Sequence, residues 1–199
     1  MNSPTPDVQD VSYHETIAPN PTQAPVRHAL SAHFMMAHPA HVLALGFGAG
    51  LSPRAPGTMG TLLAWVSFAV LQPHLGDAQW AVLLAVSLLL GWWACARTAR
   101  LLGITDPGAI VWDEVVAFWL VLWLISPTTL TGQAAAFACF RLFDALKPGP
   151  VGWADRLFHA LDPARDRHAW HKASVGILLD DLVAAFCTLL LFAAWRAWA

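Results

Sequence analysis

An all-α, polytopic membrane helix bundle with about four to five transmembrane helices is the fold that this sequence predicts. Two observations carry that expectation. Of the 199 residues 57% are hydrophobic and 12% charged, against roughly 25% charged in an ordinary soluble domain, and the mean hydropathy is +0.51. The apolar residues also collect into long uncharged stretches broken by turn signals, which is how membrane spans read.

Residues 1–40 stand apart. They are rich in Pro, Thr, Ser, Gln and His and have neither helical nor strand periodicity, so they are expected to form a disordered tail. They lack the basic start and continuous apolar core of a signal peptide. Residues 41–199 are then one membrane-embedded domain, without an internal repeat.

Within that domain the elements follow in order. Gly60 to Leu71 is uncharged and ends at Gln72-Pro73, which predicts a helix over about 57–72. Ala78 to Ala96 is uncharged up to Arg97, giving a second over 79–98. Val115 to Phe140 is cut by Ser126-Pro127 and Gly132, so it divides into 109–126 and 132–147. Leu182 to Trp195 follows an acidic pair and completes a fifth helix over 174–198. A span needs about 20 residues, so the first and fourth are short enough to be re-entrant.

If these helices alternate, Arg54, Arg97, Arg100, Lys147, Arg156, Arg165, Arg167 and Lys172 share one side, whereas the connections at 72–78 and 127–131 have no Lys or Arg. The positive-inside rule makes the basic side cytoplasmic. Trp80, Trp112, Trp153, Trp195 and Trp198 lie near predicted span ends, where interfacial tryptophan is common. The formal net charge of −2 and the lack of a Lys/Arg block exclude nucleic acid as an expected partner. Oligomeric state is not legible.

The unusual residues are five carboxylates beside apolar stretches: Asp113, Glu114, Asp144, Asp180 and Asp181. An ionised carboxylate at the bilayer centre costs about 2.5–3.5 kcal/mol on insertion scales, so membrane chains keep one only where a partner, a cavity or a cation compensates. The predicted threading gathers all five at the basic face. Magnesium takes hard oxygen ligands, often one or two carboxylates with water and substrate phosphate, which makes the five candidate catalytic and metal-binding residues for Mg²⁺. Arg141, Asp144 and Lys147 recur every three residues on one helical face, setting phosphate-binding cations beside a metal ligand; taken alone, the trio would read as simple charge neutralisation.

The Gly-rich run from Gly46 to Thr61 offers Arg54, Thr58 and backbone N–H groups to an anion, although such runs also serve close helix packing. Cys95, Cys139 and Cys187 have no metal-ligand spacing and no electropositive loop, and no Asp-x-Asp pair is present. His168 and His171 read as solvated. None of these residues therefore supplies a thiolate or an Asp-x-Asp nucleophile, and for a phosphatase the carboxylates would leave metal-assisted hydrolysis, either with a metal-activated water or with a carboxylate as nucleophile.

Leu51-Ser52-Pro53 through Pro56-Gly57-Thr58-Met59-Gly60, Ile110-Val111-Trp112-Asp113-Glu114, Phe140-Arg141-Leu142-Phe143-Asp144 with Lys147-Pro148-Gly149-Pro150, Asp155-Arg156 and Asp180-Asp181 resemble, in this order, the motifs of the phosphatidylglycerophosphatase A family. The resemblance covers roughly residues 40–190. It implies a Mg²⁺-dependent phosphatase of the bacterial inner membrane that converts phosphatidylglycerophosphate to phosphatidylglycerol and inorganic phosphate in phospholipid biosynthesis, among membrane lipids and with its site near the cytoplasmic face. The stretch from Arg156 to Asp180 is longer than the family pattern, and Ala117 stands where the family often has Gly. A transporter or proton relay would also keep membrane carboxylates, but near the midplane and in repeated halves. A lipid phosphotransferase would carry a spaced acidic and Gly-Ala-Arg motif that is missing here.

Overall fold

A computed structural model gives the architecture and describes residues 30–158, 161 and 166–198. Among them there is no strand. The helices are α1 (Ala32–Met36), α2 (Pro39–Ala44), α3 (Pro56–Leu71), α4 (Asp77–Leu102), α5 (Trp112–Ile125), α6 (Leu130–Leu146), α7 (Pro150–Leu157) and α8 (Ala169–Trp198). The five long helices expected from the sequence are α3, α4, α5, α6 and α8.

Helix α5 is the centre of the bundle, packed against α3, α4 and α8. It has only 14 residues, about 21 Å at 1.5 Å per residue, less than the ~30 Å hydrocarbon core. Val115, Val116, Ala117, Phe118, Val121 and Leu122 are all buried, so its sheath is protein rather than lipid. Two helices, α4 with 26 residues and α8 with 30, are long and apolar enough to cross a membrane on their own. With α3 at 16 residues and α6 at 17, the all-α membrane bundle expected from the sequence holds, and two of its helices are spans by length and composition.

Side-chain size is sorted as a lipid-facing bundle requires. Small residues, among them Ala64, Ala94, Ala99, Ala136, Ala184 and Ala185, are buried between helices, where close backbone approach strengthens packing. Large apolar residues face out: Val66 is 64% exposed, Leu89 67% and Phe186 59%. A contiguous apolar exterior of this kind belongs in a membrane.

Antiparallel alternation is fixed by hydrogen bonds at both ends. At one end Trp92 Nε1 donates to His171 O (3.1 Å) and Ser174 Oγ to Trp92 O (2.6 Å), joining late α4 to early α8. At the other, Trp123 Nε1 donates to Asp77 Oδ1 (3.0 Å) and Arg196 Nη2 to Ile125 O (2.8 Å).

Three details differ from the sequence reading. Trp80 and Trp112 are not interfacial; Trp80 is fully buried against Phe68, with ring centroids 4.8 Å apart, and Trp112 Nε1 donates to Ser87 O at 3.0 Å. Trp153, Trp195 and Trp198 are exposed. Residues 32–36 and 39–44, assigned to the tail up to position 40, are helical, with Ala40 and His41 buried; residues 1–29 lie outside the described part. Finally, Arg97 and Arg100 do not end the second long helix, which continues to a left-handed Gly103 (φ 70°), the usual C-terminal stop.

Candidate active site

The site is built where the N-termini of α3 and α5 and the C-terminal end of α6 meet the first half of α8, with Asp180 and Asp181 more than three turns inside that helix rather than near its start. Backbone 109–111 leads into α5 and is clamped from two sides. Val111 N donates to Ala44 O at 2.9 Å, and the start of α3 presses so closely that a Cβ at Gly60 would stand 2.8 Å from Val111 Cβ and 3.0 Å from its carbonyl oxygen. Glycine at 60 therefore permits the contact that sets Asp113 and Glu114 in the first turn of α5. In this respect the Gly-rich run serves packing, one of the two roles its sequence allowed.

Asp113, Glu114 and Asp181 each contribute a carboxylate oxygen to a group whose members lie within 4.8 Å of one another. Glu114 and Asp181 are buried, and Asp113 is half-buried. Each of the three also has one oxygen, Asp113 Oδ1, Glu114 Oε2 and Asp181 Oδ2, that is shielded from solvent and accepts no hydrogen bond. Buried polar atoms are nearly always paired, and like charges this close repel strongly. A cation is the simplest partner that meets both demands, so the donor set fits a hard divalent ion such as Mg²⁺.

The other two carboxylates are held by bases. Arg141 Nη1 donates to Asp144 Oδ2 at 2.5 Å and stands 3.8 Å from Glu114 Oε1. Asp144 in turn approaches the Asp181 carboxylate. Lys147, a left-handed residue (φ 44°) that closes α6, donates to Asp180 Oδ2 at 2.6 Å and to Asp155 Oδ1. The five predicted carboxylates are thus one connected network, divided into three with unpartnered oxygens and two neutralised by Arg141 and Lys147.

Of the remaining predicted residues, Thr58 is half-buried in the first turn of α3, and Arg54 is exposed just before it. The α3 N-terminus has no side-chain cap, leaving backbone donors for an anion. Its Gly57 lies directly against the network: a Cβ there would collide with Glu114 Oε1 and come 3.1 and 3.2 Å from the Arg141 nitrogens. An uncapped helix start, a guanidinium and three unpartnered carboxylate oxygens therefore share one corner.

Asp155 and Asp106 were given no role from the sequence. Asp155 bonds Lys147, and Asp155 and Asp106 line, with Asp180, a cavity of about 40 Å³. Asp155 belongs to the Asp155-Arg156 motif, whereas Asp106 carries no sequence signal beyond its charge.

The family model described as phosphatidylglycerophosphatase A matches residues 42–196, which includes every residue of this network. The chain belongs to the phosphatidylglycerophosphatase A family. It is accordingly an enzyme, a phosphatase acting as a hydrolase. Phosphatidylglycerophosphatase A of Escherichia coli is 37% identical over 149 residues, covering 75% of this chain and 78% of its own. The Haemophilus influenzae protein of that name is 35% identical over 161 residues, 81% of this chain and 91% of its own. A putative phosphatidylinositol-3-phosphatase of Bacteroides thetaiotaomicron is 32% identical over 162 residues, 78% and 92% respectively. No solved structure matches.

Proposed function

We propose that this protein is a Mg²⁺-dependent phosphatidylglycerophosphatase of the bacterial inner membrane, removing the terminal phosphate of phosphatidylglycerophosphate to give phosphatidylglycerol and inorganic phosphate. The observation that carries the metal dependence is the grouping of Asp113, Glu114 and Asp181, which bring carboxylate oxygens within 4.8 Å of one another and each of which has a shielded oxygen without a hydrogen-bond partner. The substrate is supported by the activity for which the Escherichia coli and Haemophilus influenzae relatives are named.

Asp113, Glu114 and Asp181 would hold the ion, with Asp144 and Asp180 at its edge. Bound there, Mg²⁺ would neutralise phosphate charge and favour ionisation of water. The chain itself supplies the rest. Arg141 and the uncapped N–H groups at Gly57 and Thr58 receive phosphoryl oxygens, and Arg54 stands at the rim. Lys147 orients Asp180 and Asp155 and adds positive charge beside the leaving phosphate. In the reaction a water oxygen bonds to phosphorus, the bond from phosphorus to the headgroup glycerol oxygen breaks, and that oxygen leaves as a hydroxyl after taking a proton. Attack by a carboxylate oxygen, followed by hydrolysis of the acyl phosphate, fits the same residues; borohydride reduction of a quenched reaction would trap only that route.

The side of the membrane follows from charge. Among the described residues Arg97, Arg100, Lys147 and Lys172 share the end that holds the network, whereas Arg196 lies at the other, which supports a cytoplasmic site. The test is phosphate release by the purified chain from phosphatidylglycerophosphate, phosphatidylinositol 3-phosphate and phosphatidic acid in mixed micelles, with and without Mg²⁺. Preference for phosphatidylglycerophosphate with Mg²⁺ dependence is expected; preference for the inositol lipid would transfer the substrate assignment to the activity named for the Bacteroides relative.

A further inference from the structure

A second polar cavity lies on the far side of α4 from the carboxylates. It has a volume of about 480 Å³ and is bounded by His41, Trp93, Arg97, Arg100, Arg167 and His171, so that α2, α4 and the start of α8 each contribute a wall. At about 100° per helical residue, Trp93, Arg97 and Arg100 form one stripe of α4, and Cys95, which neighbours Glu114 electrostatically, lies on the opposite face. The two sites are therefore separated by the body of a helix.

Its chemistry is one-signed. Among the described residues neither Arg97 nor Arg100 forms an ion pair with a carboxylate, and Arg167 donates through Nε to His168 Nε2 at 3.0 Å. Their guanidinium donors remain available to an anion. The cavity is also built rather than incidental. His41 is 2% exposed, and its Nδ1 is 2.9 Å from the hydroxyl of the fully buried Thr98. In the tautomer where Nδ1 accepts from Thr98, Nε2 carries a proton and becomes a donor. Trp92 and Ser174 lock α4 to α8 at the cavity wall, with bonds of 3.1 and 2.6 Å.

We infer that this cavity, framed by His41, Arg97, Arg100 and Arg167, is a second anion site that binds the phosphate group of an anionic phospholipid. Three features favour a lipid over a free ion. The volume exceeds that needed for phosphate alone, Trp93 and Leu101 bring exposed apolar surface to its rim (42% and 65%), and basic pockets beside membrane helices suit acidic headgroups. The site takes no part in the hydrolysis, and it stands whether or not the proposed substrate is correct.

The test is native mass spectrometry of the full chain in detergent with short-chain phosphatidylglycerol, phosphatidylcholine of equal chain length, or inorganic phosphate. The expected result is a phosphatidylglycerol adduct, little phosphatidylcholine adduct, and an affinity about tenfold lower in Arg97→Gln/Arg100→Gln, the lower range for lost charge-assisted bonds. Both arginines are exposed, and a matched melting temperature will establish that the variant folds. Arg141→Gln, at the other site, should leave this adduct in place. Unchanged phosphatidylglycerol affinity in Arg97→Gln/Arg100→Gln would overturn the site. Loss in Arg141→Gln alone would do the same, by moving the adduct to the carboxylates. If inorganic phosphate binds with the arginine dependence and the lipid does not, the lipid assignment is wrong.

Discussion

Replacing Gly57 with alanine separates stability from catalysis. The new methyl group would meet Glu114 Oε1 and lie 3.1 and 3.2 Å from the two Arg141 nitrogens. All three atoms are at the ends of flexible side chains, so the backbone need not move. In the first helical turn alanine also restricts the unfolded chain more than glycine, a gain of about 0.4–1 kcal/mol where the conformation suits it. Gly57 has no positive φ, so the conformation does suit it. The melting temperature should therefore stay level or rise slightly. Activity should not. To clear the methyl, the Glu114 carboxylate must shift by something on the order of 1 Å, a displacement that can cost about a hundredfold in rate. We expect kcat/KM for phosphatidylglycerophosphate to fall by about ten- to a hundredfold and the Mg²⁺ concentration for half-maximal activity to rise, since disturbed ligand support typically costs 10–100-fold in metal affinity. Phosphate release in mixed micelles across a Mg²⁺ titration, with a melting curve on the same sample, checks both. A folded Gly57→Ala variant with wild-type kcat/KM and Mg²⁺ dependence would refute the placement of Glu114 and Arg141 in the site.

Further outcomes follow from the same network. Asp113→Asn, Glu114→Gln and Asp181→Asn should each lower activity by about tenfold or more, and chelator should abolish it until Mg²⁺ is restored; full activity in chelator would end the metal account. Lys147→Ala leaves Asp180 and Asp155 without their shared base, so kcat/KM should drop roughly ten- to a hundredfold, the equivalent of one charge-assisted bond of about 1.5–3 kcal/mol, and a Lys147→Arg variant should recover part of it. In a cysteine-free background, a cysteine replacing exposed Lys172 should react only with reagent that reaches the cytoplasm, whereas one replacing exposed His74 should be labelled from outside; the opposite pattern would invert the proposed topology.

Much of the bundle was legible because its strongest signals are long apolar stretches. The expected 57–72, 109–126 and 132–147 correspond to Pro56–Leu71, Trp112–Ile125 and Leu130–Leu146, each bounded by Pro, Gly or a polar cap. Errors arose where charge was read as an end. Helix α4 runs through Arg97 and Arg100 because an arginine can stay on an exposed helical stripe, and α8 starts at Ala169 rather than near 174 because Lys172 is exposed and bonds Asp166 at 2.6 Å. Short α7 was not expected from the sequence, although Pro150 is suited to a first helical position, and Val151 and Ala154 bury one face.

At the site, residue type and one-sided placement brought all five carboxylates together. Which of them would be paired was not visible, because it depends on how α6 delivers Arg141 to Asp144 and on how the left-handed turn at Lys147 aims its amine at Asp180 and Asp155. The role of Gly57 was hidden for a similar reason. Sequence shows a missing side chain, but only the packed structure shows that Glu114 and Arg141 fill its place.

Divalent-cation binding to the purified full chain tests the central claim most directly. Mn²⁺ titration followed by electron paramagnetic resonance should give saturable binding to the wild-type protein that Mg²⁺ displaces, and Asp181→Asn or Asp113→Asn should weaken it by about tenfold or more, while Arg97→Gln should leave it unchanged. Equal Mn²⁺ affinity in wild type and both carboxylate variants would contradict the assignment of Asp113, Glu114 and Asp181 as the metal-binding group.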